Sequence, residues 1–177
     1  MQRAEVEAVL RDDRVIVTAR EEADTLFENG YGTFDKDKKV LTLSSVEALY
    51  LLVEKRAKIL DEGSGCALGL SQLVDKFMAS DEIVWTKYLI YQDLRRRGYV
   101  VRDGFGYGVD FRVYERGGFG EQAAKYIVYG ISEGTPTPID RIRDVMRFAQ
   151  NMKRDLILAV VDRRGEVVYY SISQLTF

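Results

Sequence analysis

Apolar and polar positions alternate with a period of two over residues 99–102, 109–114 and 125–131, and each stretch predicts a strand. Two more strand patterns, 156–161 and 167–171, flank a turn at 162–166. Between these runs the period changes to that of a helix. Ile83, Val84, Tyr88, Leu89, Tyr91 and Leu94 make an apolar side over 81–97, capped by Ser80 and ended by Gly98. Ile139, Ile142, Val145, Met146, Ala149 and Met152 do the same over 139–153, after a start signal of Thr137, Pro138 and Asp140 that puts the proline at the first helical position.

The first half of the chain is more broken. Strands are expected at 14–19 and 40–43, with turns at 30–32 and 35–39. A helix begins at Ser44 or Ser45, with Glu47 in its first turn, and runs to about Leu60 on Val46, Leu49, Tyr50 and Val53. A strand-like ALGL at 67–70 precedes a shorter helix from Ser71. A boundary near residue 80 then gives an α+β fold: a small N-terminal α/β domain over 1–80 and a C-terminal mixed-sheet domain with flanking helices over 81–177.

Composition narrows the chemistry. The 177 residues are 46% hydrophobic and 31% charged, which suits globular domains and not a disordered chain. No apolar run approaches the roughly 18 residues of a membrane span, and the charged start MQRAEVEAVLRDDRV does not read as a secretory leader. With Cys66 as the one cysteine, no internal disulfide forms, and a reducing, cytoplasmic setting is expected. Histidine is absent altogether. The commonest acid–base group near neutral pH is therefore missing, as is the commonest metal ligand, so no metal or other cofactor is expected. The net charge of −2 is unevenly spread: residues 1–80 carry 11 Lys and Arg against 15 Asp and Glu, whereas 81–177 carry 15 against 13. A phosphate backbone would be met by the second half.

Two short motifs read as turns. GFGYG at 104–108 has the G-x-G spacing, but a dinucleotide site needs a helix after it and here a strand follows. Asp37-x-Lys39 within DKDKK has the carboxylate and lysine of metal-dependent nucleases, yet it lies among turn residues. A third pattern is more suggestive. On the helix ending at about Lys153, Arg147 and Arg154 project within about 20° of each other and Arg143 some 40° away, a basic stripe suited to RNA contact.

YLIYQDLRRRGYVVRDGFGYGVDFRVYERGG, then KYIVYG, then RIRDVMRFAQNMKRDLILAVVDRRGEVVYYSI resemble the C-terminal domain of the archaeal tRNA-splicing endonuclease family over residues 85–177. GYG and LTLSSVEALYLLVE, within 30–54, resemble its N-terminal domain. The resemblance implies metal-free cleavage of a bulge-helix-bulge in precursor tRNA, leaving a 2′,3′-cyclic phosphate and a 5′-hydroxyl. In that scheme a tyrosine takes the 2′-hydroxyl proton, a histidine protonates the leaving oxygen and a lysine steadies the charge on phosphorus.

Tyr114, ending DFRVY, falls on the tyrosine position; the histidine position is Ala123 and the lysine position Arg154, with Lys153 adjacent. Alanine cannot donate a proton, and arginine is not equivalent to a compact ammonium. The resemblance thus implies a structural subunit paired with a catalytic one, as in the family's two-plus-two heterotetramers. Arg147 falls on an arginine that sandwiches a bulged base. Val167, Val168 and Tyr169, within Val167 to Ser173, and the closing Leu175 to Phe177 fall on strands that pair about a two-fold axis, and Asp162 and Glu166 on an acidic loop that docks in a neighbour's basic cleft. Two other readings stay open: an active endonuclease using Tyr114 with Lys125 or Arg154, and a stand-alone RNA-binding protein.

Overall fold

The computed structural model describes residues 5–35, 40–106 and 108–174. Asp37, Lys39 and residues 175–177 lie outside them. The chain forms two compact units, Met1–Tyr88 and Leu89–Phe177.

The first unit holds β1 (Val6–Arg11), β2 (Arg14–Val17), α1 (Arg20–Glu28), β3 (Thr33–Asp35), β4 (Val40–Leu43), α2 (Ser45–Val53), β5 (Ala57–Asp61) and α3 (Leu70–Met78). Its sheet runs β3-β4-β2-β1-β5, antiparallel except for β1 against β5. Alternation buries Ala8, Leu10, Val15, Val17, Leu41 and Leu43, while α2 buries every residue from Val46 to Leu51. The expected helix to Leu60 stops at Val53, and β5 follows instead. Lys55 turns left-handed (φ 52°), and Arg56 N–H donates to the Leu51 carbonyl at 2.8 Å, which closes the helix by a Schellman turn without a glycine. ALGL contributes a single bridge, Leu60 to Ala67, and no strand. β1 and α1 were not anticipated from the sequence pattern.

Ser44 is the cap of α2: its hydroxyl accepts from Glu47 N–H at 3.4 Å, and Glu47 Oε2 accepts from Ser44 N–H at 2.9 Å and from Gly32 N–H at 3.1 Å. Glu47 is only 4% exposed, so the carboxylate ties the 30–32 turn to the helix start inside the core. Glu47→Ala leaves one buried and one half-buried donor without this acceptor and should cost on the order of 2 kcal/mol, read as a lower urea midpoint with an unchanged slope.

Helix α4 (Val84–Arg96) crosses the division between the units, so that division falls beyond the junction near residue 80. The second unit continues with β6 (Val100–Gly106), β7 (Val109–Tyr114), β8 (Tyr126–Ser132), α5 (Ile139–Asn151), β9 (Asp155–Val161) and β10 (Val167–Ile172). These strands lie in the order β10-β9-β8-β7-β6, and only β8 and β9 are parallel. Parallel neighbours need a crossover, which α5 supplies. Its Val145 and Ala149 pack on Ile127 and Leu156, with Met146, Phe148, Tyr129 and Ile172 around them. The other face of the sheet meets α4, where the Tyr91 ring lies 5.9 Å from that of Phe111. Pro138 is the cap of α5 (ψ 135°) and not its first helical residue. The glycines of 104–108 belong to the β6–β7 hairpin, and no helix follows them.

Candidate functional site

The parallel pairing of β8 and β9 decides where the candidate side chains meet. Tyr126 stands beside Asp155, so Lys125 and Arg154, one residue earlier, enter the sheet side by side. β7 runs the other way and ends there. Val113 faces Tyr126, and Lys125 N–H donates to the Val113 carbonyl at 2.9 Å, which sets Tyr114 opposite Lys125. Tyr114, Lys125 and Arg154 therefore form one row across three strands, a span of about 10 Å. Ile127 and Leu156, two residues on, face α5, so the alternation puts the row on that same face.

Each member has a distinct environment. Tyr114 is half-buried, with the Phe119 ring edge-on at 5.3 Å and 89°. Phe119 is in turn covered by the Arg102 guanidinium at 5.7 Å. Lys125 is exposed and its Nζ donates to Glu115 Oε1. That hydrogen bond, with a lesser one to Tyr126, holds the ammonium above its ordinary range, so Lys125 is a fixed cation and not a base. Ala123 is exposed in the loop that leads into β8.

Arg154 is not part of a helical stripe. α5 ends at Asn151; Lys153 turns left-handed (φ 53°), its N–H donates to the Gln150 carbonyl and Arg154 N–H to that of Ala149, both at 2.9 Å. This Schellman turn swings Arg154 off the helix and delivers it to the head of β9. The expected 20° alignment of Arg147 with Arg154 is thereby replaced by a stripe of Arg143 and Arg147 alone. Arg143 is paired with Asp140 at 2.8 Å, whereas Arg147 is exposed and makes no ion pair among the described residues.

At the far edge, Val168 is 49% and Tyr170 53% exposed, on one face of β10. Tyr169 points the other way, and its hydroxyl donates to Asp93 at 2.7 Å. Tyr170 lies within the stretch expected there, and the period of two places it with Val168. In the 162–166 turn, Arg164 meets Asp162 at 3.3 Å and Glu166 at 3.0 Å. Asp162 also accepts from the N–H groups of Glu166 and Arg164, at 2.9 and 2.8 Å, and these contacts hold its carboxyl below the usual range. Among the described residues no group of acidic or cysteine side chains could hold a metal ion, and no helix is long and apolar enough to cross a membrane.

Models of the two domains of one family match the chain: the tRNA intron endonuclease N-terminal domain over residues 6–70 and its catalytic C-terminal domain over 84–169. The chain belongs to the tRNA intron endonuclease family. A tRNA-splicing endonuclease of Methanococcus vannielii is 37% identical over 96% of the chain and 94% of its own length, and one of Thermococcus kodakarensis is 34% identical over 95% and 97%. That of Methanosarcina mazei is 35% identical over 92% of the chain but only 44% of that longer protein. The α+β architecture, with one mixed sheet in each unit, is thus that of a tRNA intron endonuclease chain.

Proposed function

We propose that this chain is the structural, non-catalytic subunit of a tRNA-splicing endonuclease that cuts precursor tRNA at bulge-helix-bulge sites, giving 2′,3′-cyclic phosphate and 5′-hydroxyl ends. The observation that carries the reading is Ala123. By resemblance it falls on the proton-donor position, and it lies in an exposed loop of a chain that has no histidine to bring from elsewhere. Departure of a 5′-oxygen without a donor forfeits about 10²- to 10⁴-fold in rate. The catalytic chain is then a second subunit, in a heterotetramer. The edge of β10 suits such assembly, because Val168 and Tyr170 lie exposed on a strand that has one side unpaired among the described residues. The 162–166 turn suits a basic cleft poorly, since Arg164 already bridges its two carboxylates and Arg163 brings the turn to no net charge.

Purified alone, the chain should leave a bulge-helix-bulge RNA uncut, and cleavage should appear when a histidine-bearing family subunit is added. In that complex Tyr114→Phe should change the rate less than about twofold, well short of a lost proton transfer. Robust cutting by the chain alone would sink this reading. The alternative of an active subunit has one observation in its favour, the single row of Tyr114, Lys125 and Arg154, and it predicts that Tyr114→Phe abolishes activity.

A further inference from the structure

The face of the second sheet turned away from α5 carries a cavity of about 240 Å³. Val113, Val128 and Ile157 floor it; Tyr99, Tyr126 and Tyr169 wall it, with Arg97 beside them. Each of these tyrosines has a cation over its ring: Arg116 lies 6.0 Å from the centroid of Tyr99, Lys125 5.3 Å from Tyr126 and Arg97 5.5 Å from Tyr169. Two of the cations are balanced locally. Asp93 pairs with Arg97 at 2.7 Å while accepting from Tyr169, and Glu115 pairs with Lys125. Arg116 makes no ion pair among the described residues, so it stands over Tyr99 as a cation without a local carboxylate partner.

We propose that this cavity takes one unstacked nucleobase of an RNA, whose adjoining phosphate rests on Arg116. An apolar floor between aromatic walls is the environment in which bases splayed from bulges and loops are stacked by proteins. The volume falls below the roughly 300–1,000 Å³ of sites for drug-sized molecules, leaving room for one planar ring system. An apolar side chain of a partner protein would satisfy the floor but leave the Arg116 charge without a counter-ion; a nucleotide satisfies both. Position agrees, because Tyr126 follows Lys125 directly. The cavity and the row of Tyr114, Lys125 and Arg154 thus lie at the same end of the sheet on opposite faces, and an RNA strand passing round that end reaches both. The inference rests on the reading of this chain as part of an RNA-processing enzyme.

The test titrates the full chain with an RNA hairpin carrying 2-aminopurine in a bulge, and with the same hairpin fully paired. The wild type should prefer the bulged RNA and change its fluorescence. Tyr99→Leu should cost roughly tenfold in affinity for the bulged RNA alone, and Tyr99→Phe, which keeps the ring, should restore it. Arg116→Gln, at an exposed position where folding is not at stake, should weaken binding severalfold and flatten its salt dependence. The proposal is overturned if Tyr99→Leu or Arg116→Gln binds the bulged RNA as the wild type does, or if the wild type shows no preference or no binding. It is also overturned if the cavity is covered by a partner protein's side chain in the assembled complex. None of these failures touches the subunit role, which is read from cleavage restored by the partner.

Discussion

Ala123→His combined with Arg154→Lys is expected to raise cleavage of a bulge-helix-bulge RNA by the purified chain roughly a hundred- to ten-thousand-fold above background. Tyr114 already ends β7 opposite Lys125, and the Schellman turn after α5 already delivers residue 154 to the same row. Residue 123 lies two positions before Lys125 in an exposed loop, so an imidazole there would be solvated and keep a pKa near its ordinary value of about 6.5. Ala123→Asn with Arg154→Lys is the control, since an amide of similar reach moves no proton. If the histidine variant folds and stays at the level of this control, then Tyr114 does not share a reactive phosphate with these positions, and their assignment by family resemblance fails for this chain.

The second large effect is on stability. A Cβ at Gly104 would lie 2.1 Å from the Val109 carbonyl oxygen and 2.7 Å from its carbon, well inside contact distance. These are backbone atoms of the facing strand, at the point where the β6–β7 register shifts between Asp103 and Gly106, and they cannot swing aside as a side chain would. Gly104→Ala should therefore cost about 3 kcal/mol, the upper range for overpacking, and lower the melting temperature of the second unit by roughly 12–24 °C. Calorimetry of the full chain would resolve it, and a loss below about 1 kcal/mol would mean that the hairpin opens at little cost.

Much of the second unit could be read from the sequence because its strands alternate cleanly and its helices end on glycine or start near proline. Val109, Phe111 and Val113 are buried while the residues between them are not, as the pattern requires. Elsewhere the usual signs are missing. α2 and α5 both end on a lysine in the left-handed region, Lys55 and Lys153, where a reader looks for glycine. For α2 this let the apolar pattern run on into β5, and for α5 it carried Arg154 onto a helix it does not occupy. α1 buries only Ala23 and Leu26, too few positions to reveal a period. β1 hides its buried Ala8 and Leu10 between charged residues. In the candidate site, Tyr114, Ala123 and Arg154 could be named from resemblance. That Tyr114, Lys125 and Arg154 share a row follows only from strand direction and register, which no spacing along the chain reveals. The cavity walled by Tyr99, Tyr126 and Tyr169 draws on residues far apart in sequence and left no local signature.

The clasp of Arg164 on Asp162 and Glu166 bears on how fast anything could find this turn. Asp162, Arg163, Arg164 and Glu166 sum to no net charge, and the two carboxylates are already occupied at short range. An acidic loop of the family pattern would draw a basic cleft from a Debye length away; this turn exerts no such pull. An encounter through it would proceed at the slower pace of unsteered diffusion and be nearly indifferent to ionic strength, its selectivity coming from shape after contact.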